Sequence, residues 1–212
     1  MSGSAPSHRI LFATAELAPW SQVGGLGEVA ASLPPALAGR GHEVVVVTPL
    51  HRRVRRAGPE LRPLDRTLRF DFAHHAREVA LHEDPDAAVR TVYLDAPDFF
   101  ETEDDLYGDA RGEGGVGHLR WLFFSAVLRP VTRALGFTPE IVHVHDWHGA
   151  LGCALDRVSI TSNPTRRARP GSSPSTTAPT TDASAATPGA RRVCARTSWS
   201  NPSSSRAATP SS

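Results

Sequence analysis

Two stretches of this chain carry residue types and spacings that could do chemistry. The first runs from Glu16 through Trp20 and Gln22 into Gly24-Gly25-Leu26-Gly27-Glu28. An apolar run, Ile10 to Ala13, breaks there into a loop, and the glycines stand where a helical pattern begins. Glycines at such a junction let backbone N–H groups approach a ligand closely, and a helix start adds partial positive charge. Together they make an anion or phosphate site, although any α/β protein also needs tight turns at these junctions. The second stretch is His145-Asp146-Trp147-His148, at the end of another apolar run. Two readings stand for it: a hydrogen-bonded strand-to-helix turn with Asp146 as the cap, or a direct contact to ligand. A metal centre is not expected, because adjacent positions on an extended segment point apart and no third ligand is evident.

The elements that must position these stretches follow from hydrophobic patterning. Arg9 to Thr14 reads as a buried strand, and Leu26 to Arg40 has helical periodicity ending at Gly39-Arg-Gly41. Pro34-Pro35 should kink this helix or split it in two. Val44 to Val47 is β-branched on both faces, as in a covered parallel sheet, so the segment from Ile10 to Val47 suits one βαβ unit. Three short strands are predicted at Thr67–Phe72, Arg77–Leu81 and Val89–Leu94, punctuated by Pro and Asp like a hairpin-rich insertion or sheet edge. Glu101 to Gly117 is acidic and Gly-rich, a surface loop. His118 to Gly136 is an amphipathic helix that Pro130 should perturb, Glu140 to Val144 another covered strand, and Gly149 to Val158 the start of a helix. Ligands of open α/β sheets bind outside the carboxyl ends of the strands, and both chemical stretches lie at that edge.

The 212 residues could hold one sizeable domain with a tail. The net charge of +1 suggests no nucleic-acid role, but it conceals an asymmetry. Up to Ile160 the chain has 16 Arg against 21 acids; beyond it, seven Arg against Asp182 alone, with no Lys anywhere. Cys153 and Cys194 give neither a disulfide framework nor zinc spacing, and no long apolar segment suggests secretion or a membrane span. A cytoplasmic protein is the default. From Thr161 to Ser212 there is no Leu, Ile, Phe or Met, so residues 159–212 cannot build a core and are expected to be disordered. The composition changes abruptly inside what should be the next βα repeat. Shifting the reading of Gly171 to Ser184 to the third base of each codon permits two apolar residues followed by Thr-Ile-His-Asn, a strand end of the kind the domain needs next. The expected organisation is therefore a flexible 1–8, a domain over 9–158, and a low-complexity, frameshifted tail over 159–212.

The motifs in order bring a family into view. Glu16-Leu-Ala-Pro-Trp20 with Gly24-Gly25-Leu26-Gly27-Glu28-Val29, then Ser32 to Leu37 and Gly41-His42-Glu43-Val44, resembles the amino terminus of bacterial glycogen synthases and plant starch synthases. Leu106-Tyr107-Gly108, Arg120-Trp121 and Phe124-Ser125 look like the same family's Tyr-Gly and Arg-Phe block. Val142 to His148 is similar to its His-Asp-Trp-His signature. The resemblance implies an α/β, Rossmann-like open sheet that forms the amino-terminal half of a two-domain GT-B glycosyltransferase. It implies glucose transfer from ADP-glucose, or UDP-glucose, to the non-reducing end of an α-1,4-glucan with retention, with no metal and no cofactor. The partners so implied are the sugar nucleotide and the α-glucan, with no nucleic acid and no membrane.

By the same analogy His145, Asp146 and His148 belong beside the transferred glucose as the catalytic group. Gln22, Gly24, Gly25 and Leu26 would bind the donor phosphates, and Glu16 and Tyr107 would line the sugar cleft. Backbone N–H donors there would stabilise the departing diphosphate, where charge develops. Two departures stand out. Gln22 occupies the place where the family usually has Lys, and Gln can donate a hydrogen bond but cannot neutralise an anion. Val116-Gly117 stands where the family has Asp-Asn. With the second domain absent, the chain is expected to be a truncated, inactive donor-cleft half. A non-catalytic glucan-binding or interaction module and, more distantly, a stand-alone nucleotide-binding protein are the other readings.

Overall fold

The computed structural model describes residues 7–101, 106–107, 117–154 and 194–195. In chain order the elements are β1 (Arg9–Thr14), α1 (Gly25–Ala38), β2 (Glu43–Pro49), α2 (Arg52–Ala57), β3 (Arg62–Phe72), β4 (His75–Asp84), β5 (Arg90–Asp95), α3 (Pro97–Phe100), α4 (Leu119–Ala134) and β6 (Ile141–His145). A 3-10 turn, Trp147–Gly149, leads into a helix that starts at 150 and is described to 154. These strands form one sheet in the order β3-β4-β5-β2-β1-β6, with a two-residue strand, Cys194–Ala195, beyond β6.

β1 lies between β2 and β6, parallel to both, and β5 extends the parallel set on the far side of β2. β3 and β4 form an antiparallel hairpin against β5 at the sheet edge, as predicted, but the third run predicted with them is β5 itself, a buried strand of the parallel set. Strand alternation splits the core into two layers. Leu11, Ala13, Val45, Val47, Val92 and Leu94 pack with Trp121, Phe123, Phe124 and Val127 of α4. Ile10, Phe12, Val44 and Val46 pack on the other face with Ala30 of α1 and the partly buried Leu33 and Leu37. Phe123 is the pivot of the α4 layer, fully buried and stacked on Phe99 with ring centroids 3.8 Å apart.

The prolines do not split the helices. α1 runs through Pro34 and Pro35, and α4 through Pro130. Each ring removes one N–H and crowds the carbonyl four residues earlier. Those carbonyls belong to Ala30, Ala31 and Ala126. Packing offsets this in α1, since Pro34 itself is buried with Ala30. β3 begins five residues before the predicted start because pairing to β4 carries it past an irregularity between Pro63 and Thr67. The β3–β4 turn is made by Ala73 and His74, both at positive φ (52° and 63°), residues that give no hairpin signal in sequence.

The predicted surface loop over 101–117 and the Val116 departure fall mainly outside the described residues, as do 1–6 of the segment 1–8 expected to be flexible and the frameshift and tail readings over 155–193 and 196–212; Ser7 and His8 are described and hydrogen-bond to Gly41 and His42. Of the expected disordered tail, Cys194–Ala195 is described. It pairs in parallel with Val144 and His145, where the open edge of β6 offers unpaired backbone groups.

Candidate active site at the carboxyl edge of the sheet

The site is assembled by strand register. Thr14 pairs with His145, so the carboxyl ends of β1 and β6 are side by side and the two loops leaving them must meet. Thr14 Oγ1 donates to the Glu16 carbonyl at 2.8 Å, turning the chain out of the sheet. Leu17 and Ser21 then exchange backbone hydrogen bonds of 2.9 Å each, closing the loop before Gln22. Gly27 permits this closure, because a Cβ there would lie 3.0 Å from Gln22 Cγ.

Glu16 is the hub. It is 2 % exposed, and its Oε2 accepts hydrogen bonds from the N–H groups of Val23 (2.8 Å) and Gly24 (3.2 Å). The Tyr107 hydroxyl donates to Oε1. The first anion met by the glycine loop is therefore the chain's own carboxylate. Beyond it, no acceptor among the described residues meets the N–H groups of Gly25 and Leu26. A Cβ at Gly24 or Gly25 would find nothing within 4 Å, and neither residue has a positive φ. These two glycines are thus not required by packing or by backbone geometry. Gln22 turns its amide inward, with Nε2 donating to the Gly24 carbonyl and to Glu28 Oε1, both at 3.2 Å.

Tyr107 links this hub to the second stretch. Its ring stacks on His148 at 4.9 Å, and His148 meets Trp121 edge-on at 4.5 Å and Trp147 at 4.2 Å. Ser125 of α4 donates to the His148 carbonyl at 3.3 Å and fixes the turn. Burial pushes the His148 imidazole down to about 4, although Asp146 and Glu16 pull the other way. At neutral pH it is a neutral ring, 3 % exposed, and neither nitrogen has a hydrogen-bond partner among the described residues. Buried polar groups left unpaired call for an explanation, and a polar ligand is one. Asp146 caps the turn as expected: its Oδ1 accepts from Trp147 N–H at 2.6 Å. Its backbone, at φ 66° and ψ 180°, occupies a region almost reserved for glycine, which costs roughly 1–3 kcal/mol. Its Oδ2 lies 4.0 Å from His148 Nδ1, close enough for charge but too far for a hydrogen bond.

His145 goes elsewhere. It stacks with Phe12 (5.6 Å) and His143 (5.7 Å) in the α1-side layer, whereas His148 packs with Trp121 of the α4 side. The two histidines therefore pack in different layers, and His145 Nδ1, like the His148 nitrogens, has no hydrogen-bond partner among the described residues. Burial lowers the His145 pKa, as it does that of His143. Three residues join the site beyond those predicted for it. Trp121 walls His148; His51, just past β2, bonds through Nε2 to the Ala15 carbonyl at 3.0 Å; and Arg53 of α2 donates to the Gln22 carbonyl at 3.2 Å. Trp121 stands in the Arg120-Trp121 motif but had no expected site role; for His51 and Arg53 the signal was position alone, at the carboxyl end of β2. Among the described residues no group of three or more His, Cys, Asp or Glu could hold a metal ion.

The family described as starch synthase catalytic domain matches residues 9–168. The chain belongs to that family. The glycogen synthase of Myxococcus xanthus (strain DK1622) is 36% identical over 151 residues, covering 70% of this chain and 31% of that protein. That of Anaeromyxobacter dehalogenans (strain 2CP-C) is 38% identical over 144 residues, covering 68% and 29%. The chain thus spans about a third of the length of these curated relatives. Among solved structures, the catalytic domain of starch synthase IV from Arabidopsis thaliana, bound to ADP and acarbose, superposes with a TM-score of 0.61 and 26% identity. It covers 71% of this chain and 30% of that one. The glycogen/starch synthase resemblance read from the motifs is borne out, and so is the Rossmann-like GT-B half-fold. Within this starch synthase domain the glycine loop and the His148 turn are two ends of one hydrogen-bonded and stacked cluster. No helix of the described residues is long and apolar enough to cross a membrane.

Proposed function

We propose that the chain forms the donor-side half of the active cleft of a glycogen or starch synthase-type glucosyltransferase. In this reading glucose passes from ADP-glucose, or UDP-glucose, to the non-reducing 4-hydroxyl of an α-1,4-glucan with retention. The observation that carries it is the cluster joining Glu16, Tyr107 and His148 at the carboxyl edge of the sheet. A neutral, buried imidazole with unpaired nitrogens suits a sugar hydroxyl, which can accept or donate. The spare N–H groups of Gly25 and Leu26, at glycines whose Cβ positions are empty, suit phosphate oxygens. His148 would hold the transferred glucose, with Asp146 fixing the turn that presents it. His145, in its stack with Phe12, would support the strand end rather than touch sugar. Glu16 and Tyr107 would shape the cleft, and Gly24 and Gly25 would admit the diphosphate with Leu26. The solved relative bound to ADP and acarbose, a nucleotide and a sugar, is consistent with both halves of this assignment.

Residues 1–212 alone should not turn over, because one face of a cleft cannot orient donor against acceptor. The test is paired. Purified 1–212 is assayed for glucan elongation from labelled ADP-glucose, and for a rise in melting temperature with ADP-glucose. Stabilisation without elongation supports the reading; elongation, or indifference to every sugar nucleotide, sinks it. Trp147, 52 % exposed at the mouth of the cluster, favours a second reading in which the chain is a glucan-binding module. Co-sedimentation with glycogen that persists in a Trp147→Ala variant would remove the basis for that reading.

A further inference from the structure

The electrostatics of the glycine loop leave one requirement unmet by the loop itself. Two carboxylates already stand there: Glu16, buried beneath Val23 and Gly24, and Glu28 in the first turn of α1, bonded to Gln22. Gln22 is neutral and spends its amide on Gly24 and Glu28. A diphosphate approaching Gly25 and Leu26 would meet negative charge, and a helix start worth about half a unit of positive charge does not cancel it. A nearby cation is needed, and neighbouring α2 supplies one.

The geometry points to Arg53 as the phosphate-pairing cation of this loop, taking the electrostatic part that Gln22 cannot play. Its Nη1 donates to the backbone carbonyl of Gln22 at 3.2 Å, which tethers the guanidinium beside the glycines. The side chain is exposed, and no carboxylate pairs with it among the described residues, whereas its neighbour Arg55 is committed to Asp95 at 2.5 Å and to Glu101. One bond to a carbonyl leaves a guanidinium with four further N–H donors, in a fork suited to phosphate oxygens. The charge of Arg53 also reaches the site's back wall, where it adds to burial and Arg120 in lowering His51. α2 follows β2 directly, so Arg53 comes from the strand next to β1, as a cation arriving from the side of the loop should.

This inference rests on the donor-cleft reading, and the experiment separates the two. Inorganic pyrophosphate and adenosine are titrated into the 212-residue protein, with amide NMR shifts at Gly24, Gly25 and Leu26 as the readout. The variants are Arg53→Gln, Arg53→Lys, Gln22→Lys and the double variant Gln22→Lys with Arg53→Gln. Arg53→Gln should weaken pyrophosphate binding about three- to tenfold and steepen no response to adenosine. Arg53→Lys should recover part of the loss, and Gln22→Lys in the Arg53→Gln background should recover it by restoring a charge from the other side. Pyrophosphate binding that is unchanged in Arg53→Gln overturns the role of Arg53 while leaving the loop as an anion site. Equal losses for adenosine and pyrophosphate also overturn it, since they mark a structural brace. If neither wild type nor Gln22→Lys shows shifts at millimolar pyrophosphate, the donor-cleft reading falls and Arg53 with it.

Discussion

Replacing Glu16 with Ala tests whether this carboxylate holds the site together. The substitution strands three donors: the Val23 and Gly24 N–H groups and the Tyr107 hydroxyl. Bonds to a charged acceptor contribute about 1.5–3 kcal/mol each when buried, but Val23 is largely exposed and water can meet its N–H. Removing the carboxylate also relieves its own desolvation, so the net loss should be about 2–3 kcal/mol rather than the full sum. In a domain of this size 1 kcal/mol corresponds to about 2–4 °C, so Glu16→Ala should lower Tm by about 4–12 °C. Glu16→Gln keeps an acceptor for the two N–H groups, and the Tyr107 hydroxyl can rotate to accept from the amide; it should lose about 1 kcal/mol or less. Calorimetric melting gives the stabilities, and hydrogen exchange at Val23 and Gly24 shows whether the loss is local. The reasoning is refuted if Glu16→Ala melts within about 1 °C of wild type with those two amides still protected.

Further expectations concern titration, strain and space. His148 and His51 are each held at about 4 in the fold against an ordinary 6.5, chiefly by burial, so the folded state binds fewer protons than the unfolded chain in that interval. Their stabilising contribution is complete above pH 6.5 and is lost as pH falls toward 4, each site costing up to about 3 kcal/mol. Denaturant titrations from pH 7.5 to 4.5 should show this decline, and His148→Gln should flatten it; an unchanged slope would contradict the burial argument. At the β3–β4 turn, replacing Ala73-His74 with Asn-Gly should raise Tm by about 2–4 °C, since both residues sit at positive φ. A fall in Tm would mean another turn geometry. Gly25→Ala should leave stability unchanged or raise it by up to about 1 kcal/mol, while weakening pyrophosphate binding. Gly27→Ala should destabilise through its contact with Gln22. Equal melting of these two variants would remove the distinction between a glycine kept open and one required by packing.

Much of this architecture was legible in the residues because burial writes periodicity. β1 and β2 are covered on both faces and read as apolar runs, and α4 shows its stripe from Trp121 to Val131. β6, expected to be equally covered, interleaves His143 and His145 with its apolar residues and is buried only at its carboxyl end. What the residues hid was decided by tertiary contact. The early start of β3 depends on its partner strand, and the survival of α1 through Pro34-Pro35 depends on the packing that buries Pro34 and Ala30. The site divided in the same way. Gly24, Gly25, Tyr107 and His148 were recognisable as motif residues, and strand register explains why they meet. Trp121 stood in a motif without a role assigned to it, while Arg53 and His51 carried no local pattern, because their place comes from strand order.

The role of Glu16 changes how the glycine loop should be understood. A strand–glycine–helix junction suggests an empty anion cradle, but here the fold fills part of it with a carboxylate of its own. That carboxylate organises the loop by holding Val23 and Gly24, and it ties the loop to Tyr107 and so to His148. The arrangement leaves Gly25 and Leu26 facing outward as the donors that remain. It also places a negative charge beneath any phosphate that binds there. A loop built this way cannot work by backbone donors alone; its affinity must depend on cations brought from outside the loop. Arg53, tethered to the Gln22 carbonyl from the neighbouring α2, is a cation that the described residues bring to it.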